Sequence, residues 1–502
     1  MHPIDVAVIA VYLVGCTALG ARIGGRSGGS GLRAYFLGDS NIPAWAVTIS
    51  IVATETSAVT FLSVPGIGYR GDLTFLQLSF GYILARIVVA ALLLPAYFKR
   101  EIYTAYQVLE RRFGGATQRA ASVLFLVSRT LGSGLRLFLA AKVLREITGL
   151  DLRASIVLIG AATLLYTFLG GIKAVVWTDV LQFVIYLVAA GFALGILLHE
   201  VPGGWAAIWE RGNAAGKFRV IDLGTAGLAF VDDRASLLDY LKGLLCRPYT
   251  LWAGVIGGLV LDTGTHGADQ MMVQRYLSAR SQRQAGWALV ASGFVILAQF
   301  ALFLTIGVGL WVLYDGRPMS RDGEFAAFIK GYLPTGLLGL VIAAIFSVTM
   351  STLSGAISAS ASSTVNDLYR PLFPKTGERD LLRISKGLTV VWGVVQVVVA
   401  LGAIGLGTSV IDNALAVASF VMGPLLGLFL LGIFTKTVGE RGAFVGMVAG
   451  IAAVTAVAYG TTVAYPWYSL VGSSVVFVVA VAVNPLVRSA GPPPASPSGS
   501  TP

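Results

Sequence analysis

The sequence predicts an all-α membrane protein with thirteen transmembrane helices. Three observations point to this fold class: 56% of the 502 residues are hydrophobic, only 12% are charged, and the mean hydropathy is +0.79. This much apolar surface exceeds what one water-soluble core buries. The 61 glycines fall mainly inside the apolar runs, as in membrane helices that pack closely or break. We therefore expect most of the chain to lie in a lipid bilayer.

Thirteen apolar stretches are long enough to cross about 30 Å of hydrocarbon. In chain order they lie near residues 4–20, 44–66, 72–98, 117–146, 153–169, 174–198, 248–268, 284–313, 333–367, 383–405, 409–434, 441–460 and 466–485. Residues 1–5 contain no Lys or Arg, so we interpret the first stretch as a retained helix rather than a signal peptide.

The basic residues predict the orientation of these helices, because Lys and Arg concentrate in cytoplasmic loops. Loop 22–33 contains three arginines and segment 99–119 contains five basic residues. Basic residues recur in the later loops of the same parity, at 275–283, 370–386 and 436–441. We expect a plasma (cell inner) membrane protein with its N-terminus outside and its C-terminus in the cytoplasm. The net charge of +11 then reflects orientation, not nucleic-acid binding.

One transmembrane domain is expected over residues 1–490, followed by a disordered cytoplasmic tail at 491–502. The tail is rich in Gly, Pro and Ser, a composition that cannot bury enough apolar surface to fold. A polar segment at about 199–247 is expected to be an external loop. It separates one group of helices at about 44–198 from another at about 248–434.

Two apolar stretches contain polar clusters that a plain membrane helix would not have. Residues 50–57 are SIVATETS, and residues 261–270 are LDTGTHGADQ. Such clusters are typical of unwound helices, whose free carbonyls bind cations and whose half-helix N-termini face anions. The clusters lie five stretches apart, the spacing of a five-plus-five inverted repeat. One extra N-terminal helix and two extra C-terminal helices complete the thirteen.

A stripe of hydroxyl groups marks the ninth stretch. Ser347, Ser351, Ser354 and Ser358 recur every three or four residues and so share one face of a helix. Neutral oxygens of this kind suit a monovalent cation, since Ca²⁺ and Mg²⁺ sites need more negative charge. Close packing of helices through small residues explains the same pattern. Periodicity alone favours neither interpretation.

Residues 350–354, MSTLS, followed by Ser358, Asp367 and Tyr369, resemble the signature of the sodium/solute symporter family. Other segments resemble the family in the same order along the chain: GGIKAV at 170–175, WTD at 177–179, DQ at 269–270, QRYL at 274–277, and GPLLGLF at 423–429. The resemblance covers about residues 35–460.

This resemblance implies a leucine-transporter-like core that binds Na⁺ between the second and ninth helices. Carried over residue by residue, the ligands would be the backbone carbonyls of Ala53, Thr56 and Val348 and the hydroxyls of Ser351 and Thr352. Five oxygens are chemically reasonable for Na⁺.

Some family members hold a second Na⁺ with an aspartate and further serines. The corresponding residues here are Asp179, Ser351 and Ser354, whereas Gly355 stands where those members place another hydroxyl. An unpaired carboxylate at position 179 would cost a few kcal/mol in the membrane. Asp179 is therefore expected to bind an ion or to form a salt bridge, unless it lies at the cytoplasmic interface.

The resemblance places the solute near the membrane midplane, at Ser57, Thr60, Gln77, Asp262, Thr265 and His266. Charged residues add two further candidates, Glu55 at the first break and Arg136 on the fourth stretch, where Arg129 lies seven residues earlier. Opposite charges in a membrane core either pair with each other or bracket a zwitterionic or anionic substrate. We expect an amino acid or an organic acid rather than a neutral sugar.

The predicted function is import of such a solute coupled to Na⁺, with the solute, Na⁺ and the lipid bilayer as partners. An enzyme would need a metal site or a nucleophile–base pair, and three scattered histidines with two cysteines supply neither. A channel would need a repeated pore-lining filter, and the sequence shows no such repeat. His266 at a break favours the alternative of a proton-coupled transporter or exchanger of the same fold.

Overall fold

The computed structural model describes residues 1–26, 31–99, 101–224, 237–319, 323–406 and 420–487. These residues form helices and connecting segments, and their β-type contact is one isolated bridge between Ile42 and Ala279. The predicted tail at 491–502 lies outside the described residues, as do residues 409–419 of the eleventh stretch.

The first half of the chain forms eleven helices, in the following order: α1 Pro3–Arg26, α2 Leu32–Leu37, α3 Ala44–Glu55, α4 Ala58–Arg70, α5 Leu76–Val88, α6 Leu94–Phe98, α7 Tyr106–Phe113, α8 Gly115–Thr148, α9 Leu152–Glu200, α10 Gly204–Ala214 and α11 Leu237–Cys246. A π-helical turn at Val89–Leu93 joins α5 to α6, so that the two cross the membrane as one span.

The second half forms ten: α12 Gly258–Ala268, α13 Gln270–Leu277, α14 Gln282–Leu313, α15 Gly323–Tyr332, α16 Leu337–Ser363, α17 Arg370–Leu372, α18 Glu378–Gly402, α19 Met422–Phe434, α20 Glu440–Gly460 and α21 Tyr468–Val487. π-Helical turns precede α12 at Ala253–Gly257 and follow α16 at Thr364–Tyr369.

Nine helices among the described residues are long and apolar enough to span a membrane, and the bent pair α3 and α4 makes a tenth. Helix α9 counts once among them, although its 49 residues measure about 74 Å, more than twice the hydrocarbon thickness. Gly171 interrupts it with a φ of 55°, and a Cβ at this position would lie 2.4 Å from the carbonyl oxygen of Tyr35. This break falls between the predicted stretches 153–169 and 174–198.

Both polar clusters stay helical for most of their length. Helix α3 continues to Glu55, so within the cluster at 50–57 only Thr56 and Ser57 leave the helix, at a 67° bend between α3 and α4. The second cluster was predicted to unwind over 261–270, and this is wrong for most of its length. Helix α12 continues to Ala268, and the chain becomes extended at Asp269 alone, with φ −88° and ψ 119°. The helical hydrogen bonds of α12 therefore persist through a segment rich in Gly and Thr.

Helix α16 lies at the centre of the bundle. In its most apolar window 83% of the residues are buried, against 28% in α1, α18 and α21. Asp5 ties α1 to it, because its Oδ1 accepts hydrogen bonds from the backbone N–H groups of Gly336 (2.7 Å) and Gly339 (2.9 Å). The hydroxyl stripe of α16 is thus held against neighbouring helices rather than lipid.

Candidate functional site

The break between α3 and α4 frees backbone oxygen atoms in the middle of the bundle. Thr56 and Ser57 both adopt extended conformations, with ψ values of 118° and 165°. The N–H of Thr60 donates to Ser57 Oγ (3.2 Å), so the side chain of Ser57 caps α4. The last carbonyls of α3 consequently point away from any continuing helix.

Thr352 of α16 meets these carbonyls. Its Oγ1 lies 3.1 Å from the carbonyl oxygen of Thr54, 3.3 Å from that of Thr56 and 3.1 Å from that of Val348. One hydroxyl proton satisfies one of these carbonyls at a time, so the others keep unused lone pairs. Convergent neutral oxygens of this kind can coordinate a monovalent cation. We call these four residues the carbonyl cluster.

The carbonyl cluster differs in two positions from the predicted Na⁺ ligands. Thr56, Val348 and Thr352 come together as expected. The carbonyl that joins them belongs to Thr54, the residue after the predicted ligand Ala53. Ser351 points elsewhere: its Oγ donates to Asp179 Oδ1 (2.6 Å).

Asp179 forms a second, charged cluster on the adjacent face of α16. It is fully buried and lies against Arg275, whose Nη2 is 3.1 Å from Asp179 Oδ2. The hydroxyls of Ser50 (2.5 Å) and Thr54 (3.3 Å) also donate to Oδ2. Of the two expected alternatives, the structure shows the salt bridge. Asp179 is enclosed by neighbouring helices of the bundle.

The remaining hydroxyls of the stripe divide between two roles. Ser347 and Ser354 donate to carbonyls of their own helix, at Ala343 (2.8 Å) and Ser351 (3.0 Å). Ser358 accepts from the side-chain amide of Gln274 (3.1 Å). Among the described residues, Ser354 thus makes its hydrogen bond within α16 rather than to Asp179.

A cavity of about 230 Å³ opens beside the carbonyl cluster. It lies between the α3–α4 break, α8, the α12–α13 junction, α16 and the start of α19. Its walls are formed by Thr54, Glu55, Ser57, Thr60, Ser128, Arg129, Gly132, Arg136, Leu261, Thr265, Asp269, Met271, Met272, Thr352 and Met422. Thr54 and Thr352 belong to both the cavity wall and the carbonyl cluster, so a cation and a solute would be neighbours.

Most charges around this cavity are paired. Arg86 bonds Glu55 through Nη2 (2.6 Å) and Asp262 through Nε (3.2 Å), and Arg129 forms an ion pair with Asp269. Arg136 also lines the cavity, and among the described residues it has no acidic or hydrogen-bonding partner. The cavity therefore presents one arginine that has no direct ion-pair partner, while Arg86 is shared between two acids.

Five of the eight predicted solute residues line the cavity, namely Glu55, Ser57, Thr60, Arg136 and Thr265. Asp262 and His266 do not, because α12 stays helical and these residues, four apart, share a face toward Arg86. His266 Nδ1 lies 2.6 Å from the Tyr276 hydroxyl and Nε2 lies 3.4 Å from Asp262.

Gln77 is the third predicted residue outside the cavity. Its amide donates to the carbonyls of Thr74 (3.1 Å) and Tyr249 (3.0 Å) and accepts from the N–H of Asp222 (3.1 Å). These bonds fasten α5 to the segment before α12, so the side chain is occupied by structure.

Sequence reasoning gave no solute role to several residues that line the cavity. Arg129 and Gly132 lie on the same face of α8 as the predicted residue Arg136, and that periodicity could have extended the prediction to them. Asp269 carried a signal too, since it was the acid nearest the true break in the second cluster. Met271, Met272 and Met422 carried none, because methionine fills gaps in any apolar core.

Comparison with known proteins adds an independent observation. Residues 35–450 match the profile of the Sodium:solute symporter family. The sodium/iodide cotransporter of Homo sapiens is 32% identical over 96% of this chain and 74% of its own length. The sodium-coupled monocarboxylate transporter 1 of Homo sapiens is 32% identical over 92% of this chain and 74% of its own length.

A solved structure supports the same comparison. The substrate-bound, outward-open state of a Na⁺-coupled sialic acid symporter superposes with a TM-score of 0.85 at 27% identity, covering 97% of this chain and 98% of that one. All three of these proteins are described by coupling to sodium, while their named solutes differ.

Proposed function

This chain belongs to the sodium:solute symporter family, and we propose that it imports a small organic anion, a monocarboxylate, together with Na⁺. The family consists of membrane-embedded transporters, not enzymes. The choice among solutes is the part that this chain's own residues must support.

Arg136 is the observation that carries the proposal. It lines the cavity without an acidic partner among the described residues, whereas Glu55 and Asp269 are each held by an arginine. A guanidinium binds a carboxylate through two parallel N–H···O bonds, which fixes orientation as well as charge. An anionic solute would give this guanidinium the direct partner that it lacks.

The other expected solutes fit this cavity less well. The ammonium group of an amino acid would need a free carboxylate, but Glu55 is engaged by Arg86 at 2.6 Å. A cavity of about 230 Å³ is smaller than the roughly 300–1,000 Å³ of sites for drug-sized ligands. Two relatives are named for the solutes iodide and monocarboxylate, and both of these solutes are anions.

Na⁺ coupling follows from the contact between the carbonyl cluster and the cavity. A Na⁺ ion held by Thr54, Thr56, Val348 and Thr352 would fasten the α3–α4 break to α16. This would stabilise the cavity walls that Thr54 and Thr352 share with the solute. Movement of α3 and α4 away from α16 would release both partners. The proton-coupled alternative is weaker, because His266 is buried outside the cavity wall.

For the architecture we propose one transporter domain of thirteen membrane spans over residues 1–490. Its inverted repeats would occupy about 44–198 and 248–434, on either side of the external loop at about 199–247. The bend at α3–α4 and the extended residue Asp269 support two repeats, since each interrupts the first helix of its group. We propose the plasma membrane as its location, with the N-terminus outside and the C-terminus inside.

Uptake into proteoliposomes tests the proposal. Purified protein would be offered radiolabelled lactate, pyruvate, alanine and glucose, with an inward gradient of either Na⁺ or K⁺. We expect a monocarboxylate to be taken up with the Na⁺ gradient and not with the K⁺ gradient. This uptake should be lost in Arg136→Gln. Arg153→Gln is the matched control, because that arginine is exposed at the start of α9. Na⁺-driven uptake of alanine or glucose that survives Arg136→Gln would refute the assignment of an anionic solute.

A further inference from the structure

The carboxylate of Asp179 already accepts four hydrogen bonds and has little coordination capacity left for a metal ion. Its Oδ1 accepts from Ser351, and its Oδ2 accepts from Ser50, Thr54 and Arg275. Each carboxylate oxygen offers about two lone-pair sites, so Oδ2 is fully occupied and one site remains on Oδ1. Neutral hydroxyls supply three of the donors, and the fourth carries the compensating positive charge.

Arg275 is fixed in this place by its own hydrogen bonds. Its Nε donates to Ser50 Oγ (2.9 Å), its Nη1 to the carbonyl of Met271 (2.8 Å), and its Nη2 to Asp179 (3.1 Å). Both side chains of the ion pair are fully buried. Removing one partner of such a pair would leave an uncompensated charge in the core, so the pair holds together.

Gly355 leaves the space that the guanidinium occupies. A Cβ at position 355 would lie 2.8 Å from Nη2 and 3.1 Å from Nη1 of Arg275. Any larger side chain there would displace the guanidinium from the position in which it bonds Asp179. The guanidinium of Arg275 therefore occupies space that is open because position 355 has no side chain.

The ligands expected for a second Na⁺ thus do not fit that ion here. The carboxylate of Asp179 is neutralised by Arg275, and position 355 has no side chain that could supply a further ligand. We infer that the guanidinium of Arg275 fills the second cation position as a covalently attached charge, and that this protein binds one Na⁺ per transport cycle.

This inference rests on the proposed function and specifies its ion stoichiometry. A guanidinium is always charged and stays with the protein, so it balances Asp179 without being transported. One Na⁺ carried with one monocarboxylate amounts to zero net charge. The transported load would then be electrically neutral.

Binding of ²²Na⁺ to the purified full-length chain tests the inference without knowledge of the solute. We expect saturation at one ion per chain with a Hill coefficient of 1. The variant Arg275→Gln/Gly355→Ser releases Asp179 and adds a hydroxyl, so it should bind two ions. Arg383→Gln, which removes an exposed arginine, is the matched control and should bind one.

The double variant Asp179→Asn/Arg275→Gln is the control for misfolding, because it removes both charges together and leaves no unpaired charge in the core. It should still bind one ion. Two ions in the wild type, falling to one in this pair, would overturn the inference while leaving Na⁺ coupling intact. A Gly355→Ser double variant that folds and binds only one ion would also overturn it. Absence of any ²²Na⁺ binding would instead refute the proposed function, and the inference with it.

Discussion

Two clusters of oxygen atoms lie on adjacent faces of α16. The neighbouring residues Ser351 and Thr352 belong to different clusters. Thr352 faces three backbone carbonyls, with no formal charge among them. Ser351 faces a carboxylate that a buried arginine neutralises. The carbonyl cluster has more acceptors than protons and leaves oxygen lone pairs for the proposed cation, whereas the Asp179 cluster already contains the positive charge of Arg275. The presence of cation-binding residue types therefore does not by itself indicate a site for a free ion.

The largest expected effect comes from removing one charge of the Asp179 cluster. Asp179→Ala leaves Arg275 buried and unpaired, and breaking such a pair costs about 3–5 kcal/mol of folding free energy. We expect a marked fall in melting temperature in detergent. The uncharged pair Asp179→Asn/Arg275→Gln should recover most of this loss. If Asp179→Ala were as stable as the wild type, the carboxylate would not be the partner of Arg275.

A smaller effect is expected at the carbonyl cluster, because it depends on the ion that is added. At a Na⁺ concentration ten times the Kd, binding stabilises the folded chain by about 1.4 kcal/mol. Wild-type protein should melt at a higher temperature in NaCl than in KCl of equal ionic strength. Thr352→Ala should abolish that difference, and Thr389→Ala serves as the control, since its hydroxyl lies on α18 and bonds Ser385. Equal melting in both salts for the wild type would contradict a Na⁺ site here.

Replacement of Arg136 should affect the solute and leave Na⁺ binding alone. Loss of a hydrogen-bonded charge costs about 1.5–3 kcal/mol, which corresponds to a KM raised roughly ten- to a hundredfold in Arg136→Gln. The KM of Arg136→Lys should lie between those of the wild type and Arg136→Gln, since a lysine keeps the charge but loses the two parallel bonds. Kinetics of Na⁺-driven monocarboxylate uptake would show this order. A lysine variant no better than the glutamine variant would make geometry, rather than charge, the main contribution.

The smallest expected effect is none at all. If one Na⁺ accompanies one monocarboxylate, the loaded carrier moves no net charge. A membrane potential of 100 mV acts on each net charge with about 2.3 kcal/mol, so a two-ion carrier would respond strongly. We expect uptake at a fixed Na⁺ gradient to be unchanged when valinomycin and K⁺ set an inside-negative potential. A large increase in accumulation would contradict the electroneutral load.

Sequence reasoning reached the fold and part of the site because their signals are local. The cluster at 50–57 combines hydroxyls and an acid inside an apolar run, and the bend appears where those residues lie. The hydroxyl spacing on α16 likewise selected Ser351, whereas Thr352 came from the resemblance to the family. The sequence could not predict that Ser351 and Thr352 belong to different clusters, because this depends on the direction of the last carbonyl groups of α3 in the folded protein.

The pairings that define the Asp179 cluster could not be predicted in the same way. Asp179 and Arg275 are separated by 96 residues, and no local pattern connects α9 to α13. The Gly355 position gave a partial signal, because it departs from the family pattern at a ligand. Asp262 and His266 lie outside the cavity wall for a related reason: glycine and threonine weaken a helix, but α12 packs against α5 and α19 and stays helical through both residues.

The most direct test of the account is the ratio of ion flux to solute flux. Proteoliposomes would receive ²²Na⁺ and a ¹⁴C-labelled monocarboxylate together, and the initial rates of entry of both would be measured in the same vesicles. The account expects one Na⁺ for each monocarboxylate, and no solute-dependent Na⁺ entry in Thr352→Ala. A ratio of two in the wild type would contradict the claim that Arg275 takes the place of the second ion.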